Sequence, residues 1–235
     1  MKYLISLYLW FVLFTYSVFF LIFAIIVSYL FSSRKYTPWL QKLLKLIFTI
    51  MFIKVEVEGS ENISSNKTYL FMANHVSLFD IPLLGGFIPG YVRGVEANRQ
   101  HAWPLYGWAM RRLGNIPIDR NNVFGSLNSI GIAEGALAAG KSMIILPEGH
   151  RTIDGELRQF KSFPFLLSKK AKVEIIPIGL SGLYSLKNKN SWVINSGTTK
   201  IKFGNPISIE TIQQLPTKEL RDKVREEVKG LIEYI

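Results

Sequence analysis

An uncharged apolar run near the start of the chain places the strongest constraint on its fold. No residue from Tyr3 to Phe31 carries a charged side chain, and about 20 apolar residues are enough for a helix to cross a bilayer. The run ends at Ser32-Ser33-Arg34-Lys35 rather than at the small residues of a cleavage site, which favours a retained membrane segment over a signal peptide. A buried core helix is the alternative, but it would have to hide apolar surface on every side.

A second apolar pattern follows at helical spacing. Its apolar pairs are Trp39-Leu40, Leu43-Leu44, Ile47-Phe48 and Met51-Phe52. Lys42 and Lys45 fall between them, which predicts an amphipathic helix at the membrane interface, with packing into a soluble core as the alternative. Residues 1–52 are therefore predicted to form an N-terminal membrane anchor of two helices. Whether residues 3–31 span the bilayer or lie in its interface stays open.

The charge balance agrees with a membrane partner. The chain has 28 Lys and Arg against 17 Asp and Glu, a net charge of +11, and such a surface suits nucleic acid, anionic lipid headgroups or phosphorylated substrates. The membrane anchor argues against nucleic acid as the partner. The sequence also shows no zinc-finger spacing and no RNP-like motif. Because cytoplasmic flanks of membrane segments are rich in Lys and Arg, we expect a cell-membrane protein with its remaining domain on the cytoplasmic side.

Strand-like and helical runs alternate after the anchor, which predicts a single α/β domain over residues 53–235 with a central mixed sheet flanked by helices. The predicted strands are Val55–Val57, Tyr69–Met72, Tyr91–Val95, Met143–Leu146, Val173–Ile178, Trp192–Ile194 and Lys200–Phe203. The predicted helices cover residues 79–87, 103–112, 123–139, 161–170 and 217–234.

A histidine and an aspartate five residues apart, His75 and Asp80, are the first candidates for chemistry. Imidazole titrates near neutral pH, so His75 could take a proton from a substrate hydroxyl while Asp80 fixes its tautomer. The pair follows a buried strand, and Pro82 suits the first turn of a helix that would fold the two together. Asp80 as a helix cap alone is the simpler alternative. The chain has no Cys, which excludes thiol nucleophiles, thiolate metal sites and disulfides.

Two further segments end strand-like runs with charged groups. Arg120 and Arg151 are candidate phosphate ligands because a planar guanidinium binds phosphate bidentately; each could instead be a solvated residue at a strand end. Gly149, which follows Glu148, would let the backbone approach a ligand closely. Of the other histidines, His150 is expected in a surface loop and His101 in a structural position.

Four segments together resemble the 1-acyl-glycerol-3-phosphate acyltransferase family of glycerophospholipid acyltransferases. They are similar to its four motifs in order and interval: Asn74-His75-Val76-Ser77-Leu78-Phe79-Asp80, Gly114-Asn115-Ile116-Pro117-Ile118-Asp119-Arg120, Pro147-Glu148-Gly149-His150-Arg151 and Ile176-Pro177-Ile178. The resemblance covers roughly residues 53–210. The sequence departs from it at His150, where the family usually has Thr, and at Phe163, where it usually has Gly.

The resemblance implies a membrane-bound enzyme that moves a fatty acyl group from acyl-CoA or acyl-carrier protein to the free hydroxyl of 1-acyl-glycerol-3-phosphate (lysophosphatidic acid), giving phosphatidic acid. His75 and Asp80 would be catalytic, and Arg120, Glu148, Gly149 and Arg151 would bind the lysophospholipid. It implies no metal and no cofactor beyond the acyl donor. Another lysolipid or glycerol 3-phosphate as acceptor, a lipid hydrolase, and a noncatalytic anionic-lipid-binding protein are the alternatives.

Overall fold

The computed structural model describes residues 1–118 and 123–233. Its strands are β1 (Ile53–Glu58), β2 (Tyr69–Ala73), β3 (Arg93–Ala97), β4 (Ile116–Ile118), β5 (Met143–Ile145), β6 (Glu174–Ser181) and β7 (Gly197–Phe203). Its α-helices are α1 (Lys2–Leu30), α2 (Ser33–Ile50), α3 (Asp80–Phe87), α4 (Asn98–His101), α5 (Tyr106–Arg112), α6 (Val123–Ala138), α7 (Phe163–Ala171), α8 (Leu183–Leu186), α9 (Ile209–Gln214) and α10 (Thr217–Leu231).

The seven strands form one mixed sheet in the order β1-β7-β6-β2-β5-β3-β4. Neighbouring strands are parallel except for the antiparallel pair β6 and β7. The predicted α/β class and mixed sheet are confirmed. In the centre of the sheet, β6, β2 and β5 run in the same direction, so the loops that follow these three strands meet at one edge.

Alternation along β2 divides the core between the two faces of the sheet. Tyr69 and Phe71 pack with residues of α2 and α3, whereas Leu70 and Met72 pack with residues of α6, α7 and α10. All five residues of β2 are buried because both faces of this strand are covered. An unbroken apolar strand is typical of the centre of a parallel sheet.

The prediction of a strand at Trp192–Ile194 is wrong, because this segment pairs with α1 instead of with a strand. Ser6 Oγ donates to the Ile194 carbonyl at 3.3 Å and accepts from its N–H at 3.2 Å. Trp10 Nε1 donates to the Trp192 carbonyl at 2.6 Å. Three short α-helices in the described residues, α4, α8 and α9, were not predicted. The first turn of α9 is capped by Ser208, which accepts from Thr211 N–H at 3.3 Å.

Helix α1 lies against the rest of the molecule at several points along its 29 residues. Near its start Ser6 and Trp10 bind the 192–194 segment, and in its middle Tyr16 Oη donates to the Leu43 carbonyl at 2.7 Å. Near its end Arg112 Nη2 donates to the Ser28 carbonyl at 2.9 Å. The helix is long and apolar enough to cross a membrane, and an 18-residue window within it has a mean hydropathy of 2.5.

Helix α2 shares the core of the sheet. Phe48 and Met51 are 1% and 0% exposed and belong to the same apolar cluster as Tyr69 and Phe71 of β2, together with Leu9 of α1. The division of the chain at residue 52 stays a prediction, and residues on both sides of it contribute to this core.

Candidate active site

His75 and Asp80 are in direct contact in the loop that joins β2 to α3. His75 Nδ1 lies 2.6 Å from Asp80 Oδ2. The Asp80 side chain is fully buried, whereas that of His75 is 18% exposed. The turn into α3 thus brings together two side chains that an extended chain would hold roughly 16 Å apart.

The Asp80 carboxylate also folds the loop around itself. Oδ2 accepts hydrogen bonds from the backbone N–H groups of Val76 at 2.8 Å and Ser77 at 3.0 Å. These hydrogen bonds stabilise a buried carboxylate, whose charge would otherwise make burial energetically unfavourable. Asp80 therefore fixes the loop backbone and holds the imidazole ring as well. It does not act as the helix cap of the simpler alternative, because Phe79 is the N-cap residue of α3 and the carboxylate binds N–H groups that precede the helix.

The second ring nitrogen of His75 is open to a substrate. Nε2 has no hydrogen-bond partner among the residues that the structure describes, and the His75 side chain as a whole is 18% exposed. When Nδ1 carries the proton that binds Asp80, Nε2 keeps a lone pair. A neutral imidazole in this tautomer can accept a proton from a hydroxyl, and the Asp80 carboxylate stabilises the imidazolium that forms.

Glu148 joins two loops beneath the histidine. It follows β5 and is 3% exposed. Its Oε1 accepts from His75 N–H at 2.6 Å and its Oε2 from Arg158 N–H at 3.0 Å. Burial raises the pKa of Glu148, and the two N–H donors act against that shift. Thr152 N–H also donates to the His75 carbonyl at 2.9 Å, so the His75 backbone is held on both sides.

Of the other predicted ligands, Gly149 and Arg151 lie within the described residues. Gly149 has a φ of +78°, a left-handed conformation that glycine adopts without strain. Arg151 is partly buried, and no hydrogen bond or ion pair to its side chain occurs in the described part of the chain. Arg120 lies outside the described residues, so its predicted role has no structural account.

A cleft of about 390 Å³ opens beside Glu148, lined by His150, Leu157, Arg158, Gln159, Lys161 and Arg225. Arg225 of α10 donates from Nη2 to the Leu157 carbonyl at 2.8 Å, which ties the last long helix to this loop. His150 is exposed, as expected for a loop residue. His101 is buried on α4, and burial lowers its pKa.

Two polar residues that shape the site were not predicted from the sequence. Asn74, 2% exposed, joins β2 to β6, since Nδ2 donates to the Leu180 carbonyl at 3.0 Å and Oδ1 accepts from Leu180 N–H at 2.8 Å. Lys187, 6% exposed, follows β6 and α8. Its carbonyl accepts from Ser77 Oγ at 2.6 Å. The signal for Asn74 was its place beside His75, whereas nothing in Lys187-Asn188-Lys189 marks Lys187 as buried.

Together these contacts define an α/β protein with an oriented imidazole at the carboxyl edge of its central strands, the parts of a general-base site. A sequence model of the family described as acyltransferase matches residues 54–181, more than half of the chain. The chain belongs to this acyltransferase family.

Named relatives and a solved structure agree with this family. The chain is 29% identical over 195 residues to a chloroplastic 1-acyl-sn-glycerol-3-phosphate acyltransferase of Arabidopsis thaliana, covering 82% of this chain and 54% of the relative. It is 33% identical over 128 residues to the lyso-ornithine lipid O-acyltransferase of Pseudomonas aeruginosa, covering 54% and 47% of the two chains. The chain thus spans about half the length of these relatives.

The fold is similar to the crystal structure of the 1-acyl-sn-glycerophosphate (LPA) acyltransferase PlsC from Thermotoga maritima. The two structures superpose with a TM-score of 0.82 at 29% sequence identity, covering 97% of this chain and 94% of that one.

Proposed function

We propose that the protein transfers a fatty acyl group from an acyl thioester to the free hydroxyl of lysophosphatidic acid, giving phosphatidic acid. The observation that carries the proposal is the 2.6 Å contact between His75 Nδ1 and Asp80 Oδ2, which leaves Nε2 open to a hydroxyl. The family match and the names of the relatives support this reaction over other uses of a general base.

In the proposed reaction His75 Nε2 removes the proton of the acceptor hydroxyl while the oxygen attacks the thioester carbonyl. The tetrahedral intermediate then collapses, the carbon–sulfur bond breaks, and the thiolate leaves with the proton returned by the imidazolium. Asp80 stabilises the imidazolium through its contact with Nδ1. Glu148 keeps the ring in place because it holds the His75 N–H. The acyl group passes directly from sulfur to oxygen, so this scheme has no acyl-enzyme.

The acceptor phosphate is proposed to bind Arg151, a partly buried residue beside Thr152, whose N–H binds the His75 carbonyl. Arg120 stays a second predicted ligand, and Gly149 would allow close approach of the backbone. The donor is acyl-CoA or acyl-carrier protein.

Membrane association is proposed from α1. One side of this helix packs on the domain, while Leu4, Phe11, Phe14 and Phe19 on it are 72%, 66%, 69% and 56% exposed. Such apolar surface is unfavourable in water and favourable in a bilayer. Because the acceptor and the product are both lipids, this placement would bring His75 close to the membrane surface. The cell membrane, with the domain on the cytoplasmic side, stays the predicted location.

A lyso-ornithine lipid is a second candidate acceptor, since one relative is named for it. The partly buried Arg151, which binds no described carboxylate, favours an acceptor with a phosphate.

An acceptor screen tests the proposal. Purified protein in neutral-lipid vesicles would receive labelled acyl-CoA or acyl-carrier protein with lysophosphatidic acid, lyso-ornithine lipid, glycerol 3-phosphate or no acceptor. We expect labelled phosphatidic acid from lysophosphatidic acid. Free fatty acid as the main product would indicate a hydrolase, and no product with any donor would indicate a lipid-binding protein; either result overturns the proposal.

A further inference from the structure

Lys187 is a buried cation with no anionic partner in the described structure. It is 6% exposed, and its Nζ donates to a neutral group, the Asn188 carbonyl, at 2.6 Å. An ammonium group has three N–H donors, so this single bond leaves two of them without a protein acceptor. Buried charges in proteins are normally paired, because removing an ion from water is unfavourable unless an opposite charge replaces the water.

A second cation, Arg151, lies close to Lys187. Burial lowers the pKa of the Lys187 amine, and the positive charge of Arg151 lowers it further. The two side chains come from loops that follow β6 and β5, on either side of the strand that leads to His75. Two such cations, neither of which binds a carboxylate in the described residues, form a site that an anion would stabilise.

The position of Lys187 is fixed relative to the catalytic loop. Ser77, which lies between His75 and Asp80 in sequence, donates from Oγ to the Lys187 carbonyl at 2.6 Å. Ser77 is itself fully buried, and its N–H binds Asp80 at 3.0 Å. A displacement of Lys187 would therefore also displace the loop that carries His75.

Helix α1 also contacts the Lys187 amine. Lys187 Nζ lies 5.7 Å from the centre of the Trp10 ring, a cation–π distance. Trp10 is held in turn by its bond to the Trp192 carbonyl. Lys187 thus contacts the catalytic loop through its carbonyl and helix α1 through its amine.

We infer that Lys187 binds the phosphate of the acceptor lipid together with Arg151, and so selects acceptors that carry a phosphomonoester. The inference rests on the proposed function. In lysophosphatidic acid the reacting hydroxyl and the phosphate are on adjacent carbon atoms, so the phosphate site must lie near His75. Lys187 and Arg151 satisfy this requirement because both loops hydrogen-bond to the segment from His75 to Ser77.

Three variants separate a ligand-binding role from a structural one. Lys187→Met removes the charge and keeps the apolar stem, Lys187→Arg keeps the charge, and Lys189→Gln is a matched control at an exposed lysine of the same loop. Loss of a charge-assisted contact should raise the acceptor KM of Lys187→Met about 10- to 100-fold with the donor KM unchanged. Lys187→Arg should recover most of this loss, and Lys189→Gln should behave like the wild type.

The melting temperature of Lys187→Met distinguishes the two roles, because loss of a structural contact would lower it. Replacing an unpaired buried cation by an apolar group should leave the melting temperature unchanged or raise it. A lower melting temperature with an unchanged acceptor KM would make Lys187 a structural residue and overturn the inference. A wild type that makes no phosphatidic acid would contradict the proposed function. An active wild type together with a Lys187→Met variant of unchanged acceptor KM would contradict only the inference about Lys187.

Protection of the wild-type protein identifies the source of the anion without use of a variant. Because Lys187 is 6% exposed, its acetylation requires transient opening of the site and is followed over a long time course by peptide mass spectrometry. Lysophosphatidic acid in neutral detergent should shield Lys187, and not Lys189, by slowing this reaction. Inorganic phosphate should shield Lys187 only at much higher concentration. Shielding by phosphatidylglycerol vesicles equal to that by lysophosphatidic acid would assign the site to a bulk membrane lipid, and no shielding by either lipid would leave it without a phosphate ligand; both results overturn the inference.

Discussion

At the scale of single residues, Glu148 is the group on which the geometry of His75 depends most. Its two oxygens hold N–H groups from two different loops. We expect Glu148→Gln to destabilise the protein, because the amide can accept one of these bonds but presents N–H to the other donor. An unsatisfied buried donor costs about 1–3 kcal/mol, which urea denaturation can measure.

The matched control for this prediction is Glu61→Gln, which changes an exposed glutamate and should keep wild-type stability. The Glu148→Gln enzyme should also lose turnover while keeping its acceptor KM, since the histidine moves and the phosphate site does not. Wild-type stability and turnover in Glu148→Gln would show that the two hydrogen bonds do not position His75.

The sequence was sufficient to predict the contact of His75 with Asp80, because both residues belong to one short turn between a strand and a helix. It was not sufficient for Lys187. The burial of this lysine comes from Trp10 and from the loop that contains Ser77, which are remote in sequence. The local sequence pattern does not indicate contacts between distant residues. The burial of Lys187 and the exposure of Lys189 therefore cannot be told apart without the structure.

At the scale of elements, α1 is expected to serve both the fold and the membrane, and two leucines of this helix separate these roles. Leu9 is 3% exposed within the main apolar core, whereas Leu7 is 63% exposed. Leu9→Ala should therefore destabilise the protein in detergent by about 2–5 kcal/mol. Leu7→Ala should change stability by less than about 0.5 kcal/mol and weaken binding to vesicles by roughly tenfold or more.

Denaturant titration and vesicle sedimentation measure the two effects separately. If Leu9→Ala kept full stability, the packing of α1 on the domain would not contribute to folding. The longer helices were predictable because apolar spacing is local, as in α2, whereas the short helices α4, α8 and α9 offer too few residues for such a pattern. The segment Trp192–Ile194 was misread as a strand because its apolar residues fit both a strand and the observed contact with α1.

At the scale of the whole molecule, the contacts of α1 argue for a helix that lies in one leaflet. Ser6 near its start and Ser28 near its end both bond to the same globular domain. A helix that crossed the bilayer would have to leave the domain at one of these points. The sequence left this question open, because length and hydropathy do not reveal which residues contact the domain.

Single cysteines provide a direct test of this orientation, since the chain has none of its own. Lys2→Cys, Ser32→Cys and Lys189→Cys place thiols at exposed positions near the two ends of α1 and on the domain. An impermeant maleimide added outside sealed vesicles that carry externally bound protein should label all three. Protection of Lys2→Cys alone would show that the helix spans the membrane.

The central claim is that His75 acts as the general base in acyl transfer. The most direct measurement is the rate of phosphatidic acid formation by His75→Ala at saturating lysophosphatidic acid, compared with the wild type. Loss of a general base lowers the rate by about 100- to 10,000-fold, and we expect a loss in this range with an unchanged melting temperature. A folded His75→Ala variant that forms phosphatidic acid at the wild-type rate would contradict the account.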